Sequence, residues 1–542
     1  MCSDDRITNV VRSSGNVSAG RQWHTRSAAL VAVLALVAGG STRAGDWPMF
    51  GQGLGNSAST RSDVTRANVG SLSPKWVFTT GGDVSARAAV VDGAVYFPDW
   101  GGNLWAVRGS NGKALWSHQL SDYFDDHVHR NSRTTPAVVK GVLYTATQEG
   151  AWLLAINAST GNLLWKTQLE SDDPFAIISS SPAVAGGVVF TGVASTEEAA
   201  VAPQPFGGNY PCCHARGSAV AVDAATGAIL WKTYTVPPGY SGVSVWGSNP
   251  VVDVARNSVF IGTGNNFGHP TDPLYQACLA VPGSTEASCL SPDNHVDSIL
   301  ALDLKTGAIK WSQRLTAWNQ PYLGIVDGSD SWNVSCFFGP IPNCPANAGP
   351  DYDFGSGPNE ITYRTASGSR TIIGAGQKSG IYYALDPDLG TLLWSTQVGP
   401  GSAFGGIEWG SASDGSRIYV AIANFYGLPN NAGGAAGSWA ALDPATGAIL
   451  WQVADPNGAI DLGPLAVSNG IVYASSMGGG AGNAPTMLAL DGTTGATLWS
   501  FAPGSSVNCG ATIVDGTVFW GAGYSHVPLP GFTGNNKFYA FR

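Results

Sequence analysis

The sequence predicts an all-β fold, an eight-bladed β-propeller of four-stranded antiparallel blades closed by pairing of its N- and C-terminal strands. Three observations predict it. One hairpin pattern recurs along the chain, half-copies of that pattern stand near the two ends, and the composition favours turns and strands. Glycine fills 72 of 542 positions and only 12% of residues are charged, against roughly 25% in ordinary soluble proteins, so surface helices are poorly supplied.

The hairpin is an alternating apolar strand that reaches an Asp or its equivalent, a turn containing Gly, and a second strand ending in tryptophan. It occupies 104–116, 153–165, 219–231, 299–311, 382–394, 439–451 and 487–499. Period-two alternation around a turn rich in Gly, Asp and Thr is the pattern of tightly joined antiparallel strands. Lys75-Trp76-Val77-Phe78 supplies only the tryptophan strand, and Lys537–Phe541 supplies only the strand before the turn. Together they complete an eighth unit, which closes the ring and removes exposed sheet edges. Apolar runs at 88–97, 136–144, 182–190 and 465–473 provide the first two strands of four blades. The eight recurring tryptophans are read as residues packing blade against blade, outside any functional site.

Near the start, Arg6, Arg12, Arg21 and Arg26 precede an apolar run at 28–38 and then Thr42-Arg43-Ala44. This pattern predicts a signal peptide over 1–44, a single propeller over 45–542 and a periplasmic location. The run is shorter than the roughly 20 residues that span a bilayer, so no membrane span is expected once the leader is removed. A net charge of −10, with no basic run beyond the leader, excludes a nucleic-acid partner. The cysteines suit an oxidising compartment, with Cys212 paired to Cys213, Cys278 to Cys289, Cys336 to Cys344, and Cys509 left free. No Cys-x-x-Cys-His occurs, so a covalently attached c-type haem is excluded.

The AxDxxTGxxxW hairpin, iterated over nearly all of 45–542, resembles the quinoprotein alcohol dehydrogenase family, and the resemblance implies a pyrroloquinoline quinone (PQQ) and a Ca2+ ion at the hub. Similar propellers act as cofactor-free scaffolds in outer-membrane assembly, so the site residues must decide. The stretch 246–265 (WGSNPVVDVARNSVFIGTGN) is similar to the family segment in which a tryptophan, here Trp246, floors the quinone and an asparagine, here Asn265, binds calcium. A flat cofactor needs an apolar platform, and a hard cation needs oxygen ligands.

The stretch 179–197 resembles the strand pair ending in the calcium-binding glutamate; Glu197 matches it best and Glu198 stands beside it. By the same match Ser180 would donate to a quinone carboxylate. Asp330-Ser331-Trp332-Asn333 is similar to the family's Asp-x-Trp-Asp, departing at Asn333, and implies that Asp330 is a calcium ligand and the catalytic base, with Asp351 and Asp353 as alternatives. Lys378 would face the quinone oxygens and stabilise the reduced anion. Trp409 would line the pocket, with Glu408 replacing the family's asparagine, and Arg133 matches a carboxylate-binding arginine.

The family covers its quinone with a vicinal disulfide. Here Cys212 and Cys213 sit one blade further along, and two roles stay open, cofactor cover or loop staple. Residues 46–52, 194–198 and 211–216 are similar to polyvinyl alcohol dehydrogenases. That resemblance implies oxidation of secondary alcohol groups, those of polyvinyl alcohol, to ketones, with electrons leaving to a separate cytochrome c. A quinoprotein for other small alcohols and a cofactor-free scaffold are the alternatives. Insertions at 267–296 and 322–357 are expected to shape the funnel above the quinone.

Overall fold

Seven of the eight repeat tryptophans lie against the turn glycine of a neighbouring blade, Trp499 facing instead the blade split between the chain ends, and this contact sets how the blades stack. The computed structural model describes residues 45–200, 210, 212–247, 249–315, 344, 350–479, 483–527, 529 and 531–542. A Cβ placed on Gly227 would stand 2.7 Å from Trp165, one on Gly307 2.6 Å from Trp231, and one on Gly495 2.7 Å from Trp451. These glycines also have φ of 77°, 71° and 75°, a left-handed turn conformation that side chains disfavour. All eight indole N–H groups then donate to a carbonyl in the adjoining blade or in the segment beside it, as from Trp165 to Ala224 at 3.1 Å and from Trp231 to Leu304 at 3.2 Å. The repeat motif is therefore an interface written into a hairpin.

Blade 1 is built from Ala89–Val91, Ala94–Pro98, Asn103–Arg108 and Ala114–Gln119, antiparallel and in sequence order. Blades 2 to 7 repeat this arrangement over 137–168, 183–234, 251–314, 359–397, 412–454 and 466–501, with a short fifth strand added to two of them, Ala176–Ile177 on Val188–Ser195 and Ser59–Thr60 parallel to Ala466–Ser468. Blade 8 takes Thr512–Val514, Thr517–Gly521 and Lys537–Phe541, and its outermost strand, Pro74–Thr79, comes from the other end of the chain. Phe541 faces Pro74 and Lys537 faces Thr79, so the two half-copies pair as expected. Beside its tryptophan every blade has a one-residue register shift, a bulge that adds twist to the outer strand.

Burial falls from the hub outward. Ala94–Pro98 is buried throughout, whereas Ala114–Gln119 alternates exposed and half-buried residues. Aromatic side chains fill the space between blades; Phe97 of blade 1 stacks on Phe538 of blade 8 with centroids 4.1 Å apart and rings 5° from parallel. Among the described residues the α-helices are short and lie in connections, at Glu197–Ala200, Pro273–Leu279 and Glu286–Cys289, and the last two are joined by the Cys278–Cys289 disulfide. Cys212 and Cys213 are bonded to each other, and Cys509 is buried and free. Cys344 is disulfide-bonded, while Cys336 lies outside the described residues. Among the described residues no helix is long and apolar enough to cross a membrane.

Candidate functional site

In an antiparallel blade the start of the first strand and the end of the second meet at the same face, beside the hub. One cluster of polar side chains is drawn from those positions in blades 2 to 6. Arg133, Ser179, Trp246, Asp353 and Trp409 each precede an innermost strand, and Glu198, Asn265 and Lys378 each follow a second strand. All eight line one cavity of about 250 Å3. Trp246, Asn265, Lys378, Trp409 and Arg133, all singled out from sequence, are thus brought together.

The centre of the site is Lys378. Its ammonium donates to Asp351 Oδ1 at 3.0 Å and to Asp353 Oδ2 at 3.1 Å, and lies 5.2 Å from the centroid of the Trp246 ring. Burial alone would lower the affinity of this lysine for its proton, but Asp351, Asp353, Glu408 and Glu198 together hold it well above the ordinary lysine value. Asp353 is filled by donors, taking the Asn265 N–H at 2.6 Å on Oδ1 and the Trp246 Nε1–H at 2.9 Å on Oδ2 beside the lysine. One carboxylate therefore fixes the indole plane, the Asn265 backbone and the lysine together. Asp351 is pushed well above the carboxylate range by burial and by Asp353.

Trp409 meets Trp246 edge-on, with centroids 5.1 Å apart at 73°, and the Arg133 guanidinium lies 3.6 Å over the Trp409 ring. Trp409 has φ of 52°, a costly conformation for a bulky residue and one that clusters at functional sites. Gly355 makes room for the floor, since a Cβ there would stand 2.7 Å from Trp246 Cη2. Behind them, Glu408 is buried and raised to about 7 by burial, against the pull of Lys378 and Arg133.

Neighbouring residues differ from the sequence reading by one position in two places. Glu198 lines the cavity, 3.4 Å from the Asn265 side-chain amide, and is raised to about 7 by burial and by Asp353. Glu197 is fully buried and filled by other groups, accepting the His214 N–H at 2.9 and 3.0 Å and the Ala215 N–H at 2.8 Å. Likewise Ser179 lines the cavity and donates to the Trp246 carbonyl at 2.9 Å, whereas Ser180 is buried outside the lining. The Cys212–Cys213 pair stands at the margin, with Cys212 Sγ 3.7 Å from the carbonyl of Phe267, which does line the cavity. Asp330 lies outside the described residues. Among the described residues no three His, Cys, Asp or Glu side chains cluster as metal ligands do.

Sequence reading had no signal for Gln148 or Ile177, which line the wall but belong to no motif, whereas Phe267 opens the insertion expected to shape the funnel. The site can present a flat indole, a buried cation and several carboxylate and amide oxygens to one bound molecule, an arrangement suited to a planar anionic cofactor and a hard cation.

The family described as "Outer membrane protein assembly factor BamB" matches residues 22–233 and 377–518. A polyvinylalcohol dehydrogenase from Pseudomonas sp. is 29% identical over 80% of this chain and 64% of its own length. Another from Sphingopyxis sp. (strain 113P3) is 31% identical over 71% of this chain, which spans 55% of that relative. The crystal structure of the quinohemoprotein alcohol dehydrogenase from Comamonas testosteroni superposes with a TM-score of 0.66 at 18% identity, covering 93% of this chain and 81% of that one. With the family match extending over more than half of its residues, the chain belongs to the PQQ_2 family of propellers, and it is similar to polyvinylalcohol dehydrogenases of which it spans 64% and 55% of the length.

Proposed function

We propose that this chain is a PQQ-dependent dehydrogenase that oxidises secondary alcohol groups, those of polyvinyl alcohol, to ketones and passes the electrons to a separate cytochrome c. The observation that carries the reading is the buried Lys378 held between Asp351 and Asp353 beside the Trp246 face, in a cavity ringed by oxygen donors. The scaffold reading invited by the family's description gives that ion cluster no task. Related polyvinylalcohol dehydrogenases support the choice of substrate.

The donor chemistry fits the two groups the family implies. Glu198 and Asn265 offer a carboxylate and an amide oxygen to a Ca2+ ion, with Asp330 as the third donor by resemblance, and Glu198 takes the role that sequence matching gave to Glu197. Trp246 would carry the quinone plane, with Trp409 at its edge and Arg133 and Ser179 toward its carboxylates. When bound, the quinone supplies a two-electron acceptor and the calcium ion a Lewis acid.

The protein's own residues do the rest. Lys378 would supply a buried positive charge to a bound quinone, stabilising its anionic reduced form. Asp353 orients Trp246 and Lys378, and because three N–H groups already fill it, the proton of the alcohol is assigned to Asp330. The leader at 1–44 would deliver the propeller to the periplasm.

The test is reconstitution with PQQ and Ca2+, followed by reduction of an artificial electron acceptor with polyvinyl alcohol, small secondary alcohols and methanol as substrates. Turnover is expected with the polymer and the secondary alcohols. Asp330→Asn should abolish it, a loss of about 10²-fold or more, while leaving the bound cofactor's absorption spectrum unchanged. A chain that binds PQQ yet oxidises none of these alcohols would overturn the reading.

A further inference from the structure

Glu197 gives a buried carboxylate to a loop instead of to the cavity. Its side chain has no solvent exposure, and taking such a charge out of water is tolerated only when strong donors surround it. Two backbone donors, His214 N–H and Ala215 N–H, come from the segment after the vicinal disulfide, the His214 ring Nδ1 is 2.9 Å from Oε1, and the Tyr210 hydroxyl, just before the disulfide, also bonds the carboxylate. The connection continues, because the Ala215 carbonyl accepts the Gly242 N–H at 2.8 Å, and the next residue, Val243, donates its N–H to the Asn265 carbonyl at 2.6 Å. A rigid path thus runs from the Glu197–Ala200 helix through the disulfide loop to the strand end carrying Asn265.

We infer that Glu197 is a positioning residue: its carboxylate locks the Cys212–Cys213 loop and, through Ala215 and Gly242, fixes the separation of Glu198 from Asn265. This rests on the proposal that Glu198 and Asn265 hold the cation. Groups that support metal ligands from behind commonly change metal affinity by about 10- to 100-fold when removed.

The experiment compares E197Q and E198Q in the full chain. E197Q turns an acceptor toward two backbone donors into a group that carries N–H donors of its own. Three readouts are taken: Ca2+ affinity by calorimetry in the presence of PQQ, the rate at which Cys212 and Cys213 become alkylated under mild reductant, and hydrogen exchange at residues 212–216. E197Q is expected to weaken Ca2+ binding about tenfold or more and to speed both alkylation and exchange by a similar factor. E198Q should weaken Ca2+ binding while leaving the loop as protected as in the parent. E197D, which keeps the charge but shortens its reach, replaces E197Q if the latter does not fold, with the same expectation. Parent-like loop protection and Ca2+ affinity at position 197 would overturn the inference. A loosened loop in E197Q together with parent-like Ca2+ affinity in E198Q would instead overturn the assignment of Glu198 as a cation donor and leave the lock standing.

Discussion

Lys378 neutralises two buried aspartates at once, so replacing it with methionine leaves Asp351 and Asp353 facing each other without a cation. Breaking such an arrangement is expected to cost about 3–5 kcal/mol of stability near pH 8. The loss should shrink toward pH 5, because Asp351 already binds its proton well above the usual range and binds it more tightly without the lysine. Urea unfolding of parent and K378M at the two pH values measures both. Glu408 offers a complementary test of sign. Its folded value of about 7 exceeds the ordinary 4.5, so between those values the folded chain holds a proton that the unfolded chain has lost. Stability therefore falls as pH rises through that window, by up to about 3 kcal/mol from this residue. E408Q should flatten the slope in apo-protein unfolding measured from pH 4.5 to 8, with Glu198 keeping its own share. Trp246, Asn265 and Lys378 were reached through the resemblance of their segments to family stretches, and the cavity gathers all three. Choosing between adjacent residues was not legible in the sequence: a helix turns about 100° per residue, which separates Glu197 from Glu198. Ser179 and Ser180 lie in the connection between Ala176–Ile177 and Ala183–Ala185, where no strand alternation tells which of the two faces the cavity.

At the scale of the hairpin, the turn glycine and the tryptophan form one device, so the glycine should be the least replaceable residue of the repeat. Gly307 combines φ of 71° with a Trp231 ring that an added Cβ would meet at 2.6 Å. Gly307→Ala is expected to cost about 2 kcal/mol or more, from the strained backbone together with displacement of the indole. Gly93, with φ of 75° and open space around it, should lose only the backbone part, about 1 kcal/mol when changed to alanine. Thermal melting of the two variants separates the terms. The hairpins were fully readable because each carries strand alternation, turn and tryptophan in thirteen contiguous residues. The Pro273–Leu279 and Glu286–Cys289 helices were not, since a short insertion stapled by Cys278–Cys289 has no repeat to announce it.

For the whole molecule, the pairing of Pro74–Thr79 with Lys537–Phe541 makes the ring a single cooperative object. Removing residues 537–542 should take out a buried strand of blade 8, leaving Phe97 without its stacking partner and two sheet edges open. The expected result is loss of a single cooperative melt and a shift to aggregates in size-exclusion chromatography. A truncated chain that stays monomeric and melts cooperatively would contradict this account of closure. Ring closure was legible because each end carries half of one motif. The cavity's full wall was not, because Gln148 and Ile177 are gathered by the ring and by no local pattern.

That closure also orders events in time. A ribosome releases Pro74–Thr79 long before it has made the strand that Pro74–Thr79 must join. For most of synthesis the segment is a solitary β-edge that can bind a neighbouring nascent chain as readily as its own. Yield should then depend on whatever shields that early segment, and slowing translation late in the message should harm folding more than slowing it early.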